Sequence, residues 1–357
     1  MTAATAVPTA PAADRPAPGL RIGRLVALPV RRRTVLWCAV LVLATAVAGA
    51  ATLSMGRLGI PLADLPTALA GDVDGTAAFV LQRLRGPRLV VAIEVGAALG
   101  ISGALFQTVT RNPLGSPDVI GLGAGAGAGA ALASLLWPGV VPVPVGALAG
   151  AGVAMVLVHL ATGSGFSSPG RVIVAGIGVA AMAGAVTQYV VATVLRDQAT
   201  QLSAYLTGSI ATVDTDDVRL LGLALLVVLP AALALSERLR LIELGDELAD
   251  SLGGQARRTR AIAIVVSVVA AAAAVTVAGP VAFVALTAPQ IARRLTGSAG
   301  AGVVAAALTG ALVMVLADLV VQQAPWADGL PVGILTGAVG GAYLGYLLLR
   351  EWTKGRM

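Results

Sequence analysis

Residues 85–121 read RGPRLVVAIEVGAALGISGALFQTVTRNPLGSPDVIG, and this stretch decides the fold. From Leu89 to Thr110 the only charge is Glu94, so the run matches the roughly 20 apolar residues that cross a bilayer as a helix. Small residues recur along it at Gly96, Gly100, Ser102 and Gly103, the composition that lets membrane helices pack closely. Arg111, Asn112, Pro113, Gly115 and Pro117 then end the helix in a turn: proline removes backbone donors, and asparagine and glycine accept tight conformations.

The rest of the chain agrees. Its 357 residues are 57% hydrophobic and 12% charged, which excludes an ordinary soluble domain. About ten segments have near-spanning character: 34–53, 88–108, 119–137, 142–161, 171–195, 218–236, 258–278, 281–294, 302–322 and 331–349. The expected fold class is therefore an all-α polytopic membrane protein. Residues 1–30, rich in Ala, Pro and Thr, read as a disordered cytoplasmic tail, and residues 31–357 as one transmembrane domain. The apolar run after Arg31–Arg33 is long for a signal core and reads as a retained helix. One His and one Cys leave no metal cluster, disulfide or Cys–His pair within the chain.

The net charge of +6 does not indicate nucleic acid, because the arginines stand at segment ends. Segments 1–33, 109–118, 162–171, 237–260, 293–302 and 350–357 hold 18 of the 24 Lys and Arg residues. The alternate segments hold six: Arg57, Arg83, Arg85, Arg88, Arg196 and Arg219. Positive charge favours the cytoplasmic side, so both termini, the Asn112-Pro113 turn and residues 237–257 are expected there. The Gly121–Ala130 run, alternating Gly and Ala, reads as tight helix packing or as a lining of the central pathway.

Arg85 and Arg88, Gly96-Ala-Ala-Leu99, Ser102-Gly-Ala104, Gln107, Asn112-Pro-Leu114, Pro117 and Gly121 resemble the signature of the FecCD family. These are the membrane subunits of bacterial ABC importers for iron–siderophores, haem and cobalamin. Three further stretches resemble the family in the right order. Leu244, Gly245, Ala249, Leu252 and Gly253 match its cytoplasmic coupling loop. Gly279, Phe283, Val284, Leu286, Pro289 and Arg293 match a second motif. Ala317-Asp318 and Leu330-Pro-Val-Gly333 match a third. Gln290 stands for the usual His, Gln322 for the usual Arg and Ala342 for the usual Pro.

The resemblance implies a type II ABC importer permease fold, and no enzymatic activity in this chain. No G-x-x-x-x-G-K-[ST] loop is present, so it implies no cofactor here, with ATP and Mg held by separate ATPase subunits. It further implies a second permease subunit, two ATPases, an extracytoplasmic substrate-binding lipoprotein and surrounding membrane lipid, with no nucleic acid. The implied site is in the bacterial cytoplasmic membrane, and a ferric siderophore is the favoured cargo over haem or cobalamin.

Site expectations follow. Leu244, Leu248 and Leu252 recur at i, i+4 and i+8 and form the apolar face of a short helix, with Gly245, Ala249 and Gly253 shaping the ATPase-coupling loop. Arg85, Arg88 and Arg83 are the expected docking residues for the binding protein. Gln107, Asn112, Pro113, Ser167, Ser168 and Glu94 are the expected pathway and gate residues. Glu94, about 9 Å along the helix from Arg88, is an intramembrane acid and a functional candidate for that reason. An ion-coupled secondary transporter is the main rival; it would rely on Glu94 and Asp318 and leave the coupling-loop match unexplained.

Overall fold

A computed structural model describes residues 19–22, 26–29, 32–56, 58–71, 74–163, 169–193, 205–297, 300–327 and 329–354. Two short strands, β1 (Gly19–Ile22) and β2 (Val26–Pro29), pair antiparallel with Gly19 opposite Pro29. Both strands lie within the segment expected as a tail. Thereafter the described chain is helical: α1 (Arg32–Ser54), the short α2 (Leu65–Leu69) and α3 (Gly75–Phe79), and α4 (Arg85–Thr110). Then come α5 (Leu122–Leu136), α6 (Val143–Thr162), α7 (Pro169–Thr193), α8 (Thr215–Glu243) and α9 (Asp246–Ser251). The last are α10 (Ala256–Ala278), α11 (Val284–Thr296), α12 (Val303–Gln323) and α13 (Val332–Lys354).

Among the described residues, seven helices are long and apolar enough to cross a membrane. The other three of the expected ten correspond to α5, α11 and α13. At 15 residues α5 falls short of a full crossing, whereas α13 runs for 23. With 13 residues, α11 reaches only about 20 Å. The causes are local. A 3-10 turn over Pro117–Ile120 and the left-handed Gly121 (φ 78°) delay the start of α5. An irregular stretch ending at the left-handed Phe283 (φ 68°) delays α11.

The organising element is α4, buried along most of its length from Val91 to Val109. Membrane helices gain little from apolar burial against one another, so close backbone contact and polar pairs decide how they associate. Both occur here. A Cβ on Gly96 would lie 2.2 Å from the Gly310 carbonyl of α12, and one on Gly100 would lie 2.2 Å from the Ala306 carbonyl. Toward its other end, Gly103 meets Ala285 at the start of α11. Ser102 and Ser267 join α4 to α10 reciprocally: Ser102 Oγ donates to the Ser267 carbonyl at 2.6 Å, and Ser267 Oγ to the Ser102 carbonyl at 2.8 Å.

The Gly/Ala run of α5 works in two directions. Gly125 and Gly129 pack into Gly146, Gly150 and Ala154 of α6, with the Gly146 carbonyl 2.1 Å from where a Gly129 Cβ would sit. Gly123 and Gly127 face the Pro280 and Leu206 side chains instead. Outward-facing Leu36, Leu43, Leu160, Val174, Leu223 and Leu226 are each more than half exposed, the apolar surface a bilayer solvates.

Gly96→Ala should lower thermal stability in detergent by about 1–3 kcal/mol, because the α4–α12 backbones have nowhere to move. Gly152→Ala, where nothing lies within 4 Å of the new methyl, should not lower it. Equal melting for the Gly96 variant and wild type contradicts the close approach.

Candidate functional site

The turn after α4 is built by its own side chains. Arg111 closes the helix in the left-handed region (φ 48°). The Leu114 N–H donates to Asn112 Oδ1 at 2.9 Å, and the Gly115 N–H to the Asn112 carbonyl at 3.0 Å. Two glutamines fasten this turn to α11. Gln290 Nε2 donates to the Pro113 carbonyl at 2.7 Å, and Gln107 Nε2 to the Leu286 carbonyl at 2.9 Å. Arg293 donates to Gln107 Oε1. The Gln290 that stands where the family has His is thus a structural donor, a role that needs no titrating group.

The segment expected to couple to an ATPase follows α8. Gly245 (φ 113°, ψ 153°) and Gly253 (φ 79°) bracket α9 in conformations that side chains rarely adopt. Leu244, Leu248 and Leu252 are about 60% exposed, whereas Ala249 is fully buried against the protein. The Gly254 N–H donates to the Ala249 carbonyl at 2.7 Å, and the Ala256 N–H to Asp250 Oδ1 at 2.6 Å, folding the loop back onto α10. The result is an apolar ridge presented outward on a tightly tied base.

The first residue of α9, Asp246, sits between two arginines. Arg260 of α10 donates through Nη2 to Oδ1 at 2.8 Å and through Nη1 to Oδ2 at 3.1 Å. Arg111 donates to Asp246 Oδ1, and to the Ile242 carbonyl at 2.7 Å. Hydrogen bonds from Arg260 hold the Asp246 carboxyl below the usual carboxylate range, and Arg111 adds to the effect. The sequence reading missed this cluster. Arg111 and Asp246 are 135 positions apart, and Arg111 counted only as a topology charge.

A cavity of about 400 Å³ lies between α5, α7 and the irregular residues 280–282. Asp118, Thr187 and Gln188 are its polar lining groups, with Gly123, Gly127 and Leu206 among the rest. Irregular backbone within a membrane protein is tolerated where protein buries it or a cavity receives it. Here three such stretches meet. The Ser209 N–H donates to the Ala278 carbonyl at 2.7 Å, and the Gly333 N–H to the Gly208 carbonyl at 2.9 Å.

The expected pathway residues take several positions. Gln107 is buried at the α4–α11 contact, and Asn112 and Pro113 form the exposed turn. Glu94 faces α8, its Oε1 3.2 Å from where a Gly222 Cβ would be, and its buried Oε2 has no hydrogen-bond partner. None of the four lines the cavity between α5 and α7. The expected gate at Ser167 and Ser168 lies outside the described residues.

At the other end of α4 the arginines divide. Arg88 binds Asp318 bidentately, Nε to Oδ1 at 2.9 Å and Nη2 to Oδ1 at 2.6 Å, and Gln322 Nε2 donates to Oδ2 at 2.6 Å. Arg85 donates to the Thr52 carbonyl at 3.0 Å and to the Met55 carbonyl, capping the end of α1. Arg85 and Arg88, two of the three expected docking residues, thus also bond within the chain. Arg83 is exposed and makes no ion pair among the described residues.

Arg88→Gln should cost about 3 kcal/mol of stability, since it strands an Asp318 side chain that is 2% exposed. Arg83→Gln should leave the melting temperature unchanged; equal loss in both variants contradicts the division. The pH dependence of the coupling loop is also fixed in sign. A carboxyl lowered on folding stabilises fully above its free pKa of about 3.9 and loses that contribution as pH falls through its folded value. Proteolytic protection of residues 244–255 should be flat from neutrality to about pH 4 and fall below it. Loss of protection between about pH 7 and 5 contradicts the Asp246 clamp.

Residues 41–350 match the profile of the FecCD transport family. The chain is 38% identical to the ferric enterobactin transport system permease protein FepG of Escherichia coli (strain K12), over 91% of this chain and 99% of the relative. It is 36% identical to the Fe(3+)-citrate import system permease protein YfmE of Bacillus subtilis (strain 168), over 91% and 98%. A solved inward-facing structure assigned to the metal-chelate type of ABC transporter superposes with TM-score 0.78 at 25% identity, covering 88% of this chain and 98% of that one. The chain belongs to the FecCD transport family.

Proposed function

We propose that this chain is the permease subunit of an ATP-driven importer that passes a ferric siderophore across the bacterial cytoplasmic membrane. The observation that carries the reading is the outward ridge of Leu244, Leu248 and Leu252 on a base held by buried Ala249 and by the Gly254–Ala249 and Ala256–Asp250 bonds. An exposed apolar ridge on a polar loop is unfavourable in water and suits burial in a partner's groove. The relatives named for ferric enterobactin and Fe(3+)-citrate support an iron chelate as cargo.

In this reading the chain binds no nucleotide. ATP and Mg are held by two separate ATPase subunits, which seat on the leucine ridge. A second permease subunit completes the pathway, and an extracytoplasmic binding lipoprotein delivers the chelate. Arg83 offers that protein a guanidinium. Both termini lie in the cytoplasm, following the arginine distribution. Transport needs a path that opens and closes, and the cavity beside Asp118, Thr187 and Gln188 is the polar interior space available for it. Glu94, set against α8 and away from that cavity, gives no support to ion coupling.

Iron-labelled siderophore uptake should disappear on deletion of the gene and return with the wild-type chain. Leu248→Asp should fail to restore it and should lose the ATPase subunits on purification. Iron uptake unaffected by deletion contradicts a siderophore cargo and directs the assay to haem and cobalamin. Full rescue by Leu248→Asp contradicts the seating of the ATPase on the ridge.

A further inference from the structure

The Asp246 cluster has more partners than a loop anchor needs. Its two carboxylate oxygens receive three guanidinium N–H groups, from Arg111 at the end of α4 and Arg260 in the first turns of α10. Arg260 is only 9% exposed, so this carboxylate compensates a nearly buried cation. Arg111 also holds the Ile242 carbonyl in the last turn of α8 at 2.7 Å. Farther along, α4 and α10 are fixed to each other by the Ser102–Ser267 pair. One carboxylate at the N-terminal residue of α9 therefore reaches both helices, and through Arg111 also the end of α8.

The two ends of α9 lack comparable stiffness. Gly245 and Gly253 have no side chain to restrict rotation, so a load on the leucine ridge would turn α9 about them unless another bond opposed it. On the ridge's far side, Ala249 packs against the protein and accepts from Gly254 within the same loop, with no bond to α4. Asp250 ties the loop to the Ala256 N–H, the first residue of α10, and not to α4.

We propose that Asp246 is the positioning residue that makes α9, α4 and α10 move as one body, so that displacement of the leucine ridge reaches the helices beside the transport path. The proposal rests on the reading of the ridge as the ATPase seat. Arg111 and Arg260 are its two arms, and α4 carries the displacement inward because it is buried along its length. Charge, and not side-chain volume, is what the clamp requires: a carboxylate accepts from both arginines, whereas a carboxamide offers one acceptor oxygen and places an N–H₂ against a cation.

The test uses the complete complex, with its ATPase subunits and binding protein, in proteoliposomes, recording ATP hydrolysis and ferric-siderophore uptake together. Asp246→Asn should retain the ATPase subunits and hydrolyse ATP within about twofold of wild type, while uptake falls by at least about tenfold. Asp246→Glu, which keeps the charge, should hold uptake within about threefold. Uptake by Asp246→Asn within about twofold of wild type overturns the proposal. Loss of the ATPase subunits from Asp246→Asn also overturns it, because Asp246 would then shape the seat and not transmit its movement. A second measurement uses this chain alone in lipid nanodiscs. Asp246→Asn should speed proteolysis within residues 244–255 by about tenfold with the thermal transition of the helices unchanged. Unchanged cleavage overturns the clamp whatever transport shows. If the wild-type chain itself holds no ATPase, the seat reading falls and takes the transmission proposal with it, while the cleavage result still decides whether the clamp exists.

Discussion

Everything in this protein is hung on the approach of α4 to its neighbours at backbone distance. Gly96 and Gly100 meet carbonyls of α12, and Gly103 meets the first turn of α11, at separations that leave no room for a methyl group. A bilayer gives apolar helices no reason to leave it for one another, so this contact must come from dispersion and from polar pairs such as Ser102–Ser267. Once α4 is enclosed, its two ends become fixed points. One end holds Asp318 through Arg88, and the other holds Asp246 through Arg111.

That arrangement explains how the protein accommodates irregular backbone. The 3-10 turn before α5, the segment near Gly208 and residues 279–283 would each expose unpaired amides to lipid in isolation. The segment near Gly208 bonds instead to the end of α10, through Ser209 to Ala278, and to α13, through Gly333 to Gly208. Gly208, Gly279 and Gly333 are needed because neighbouring carbonyls occupy the space of a Cβ. The cavity beside them has Asp118, Thr187 and Gln188 on a wall that is otherwise apolar.

The sequence disclosed the bundle well and the site unevenly. Apolar runs and arginine placement mark helices whatever their partners, so the expected 88–108 became Arg85–Thr110 and 258–278 became Ala256–Ala278. The leucine ridge was legible because its spacing is local, with Leu248 in α9 and Leu244 and Leu252 flanking it. The Arg88–Asp318 pair was not legible because a helix-end arginine looks the same in sequence whether it faces a partner or a buried acid. The neighbours of Gln107 and Glu94 were not legible because an intramembrane polar residue does not declare which helix it faces. The Asp246 clamp and the cavity wall were invisible, since each joins helices that are adjacent only after folding.

The central claim is that α9 offers an outward face to an ATPase while its inward face belongs to the membrane helices. A photo-crosslinking residue placed in turn at 244, 248, 249 and 252, in native membranes, tests it most directly. The account predicts adducts with an ABC ATPase subunit from 244, 248 and 252, and none from the buried position 249. Adducts from 249 as strong as those from 248, or none from any leucine position, would contradict it.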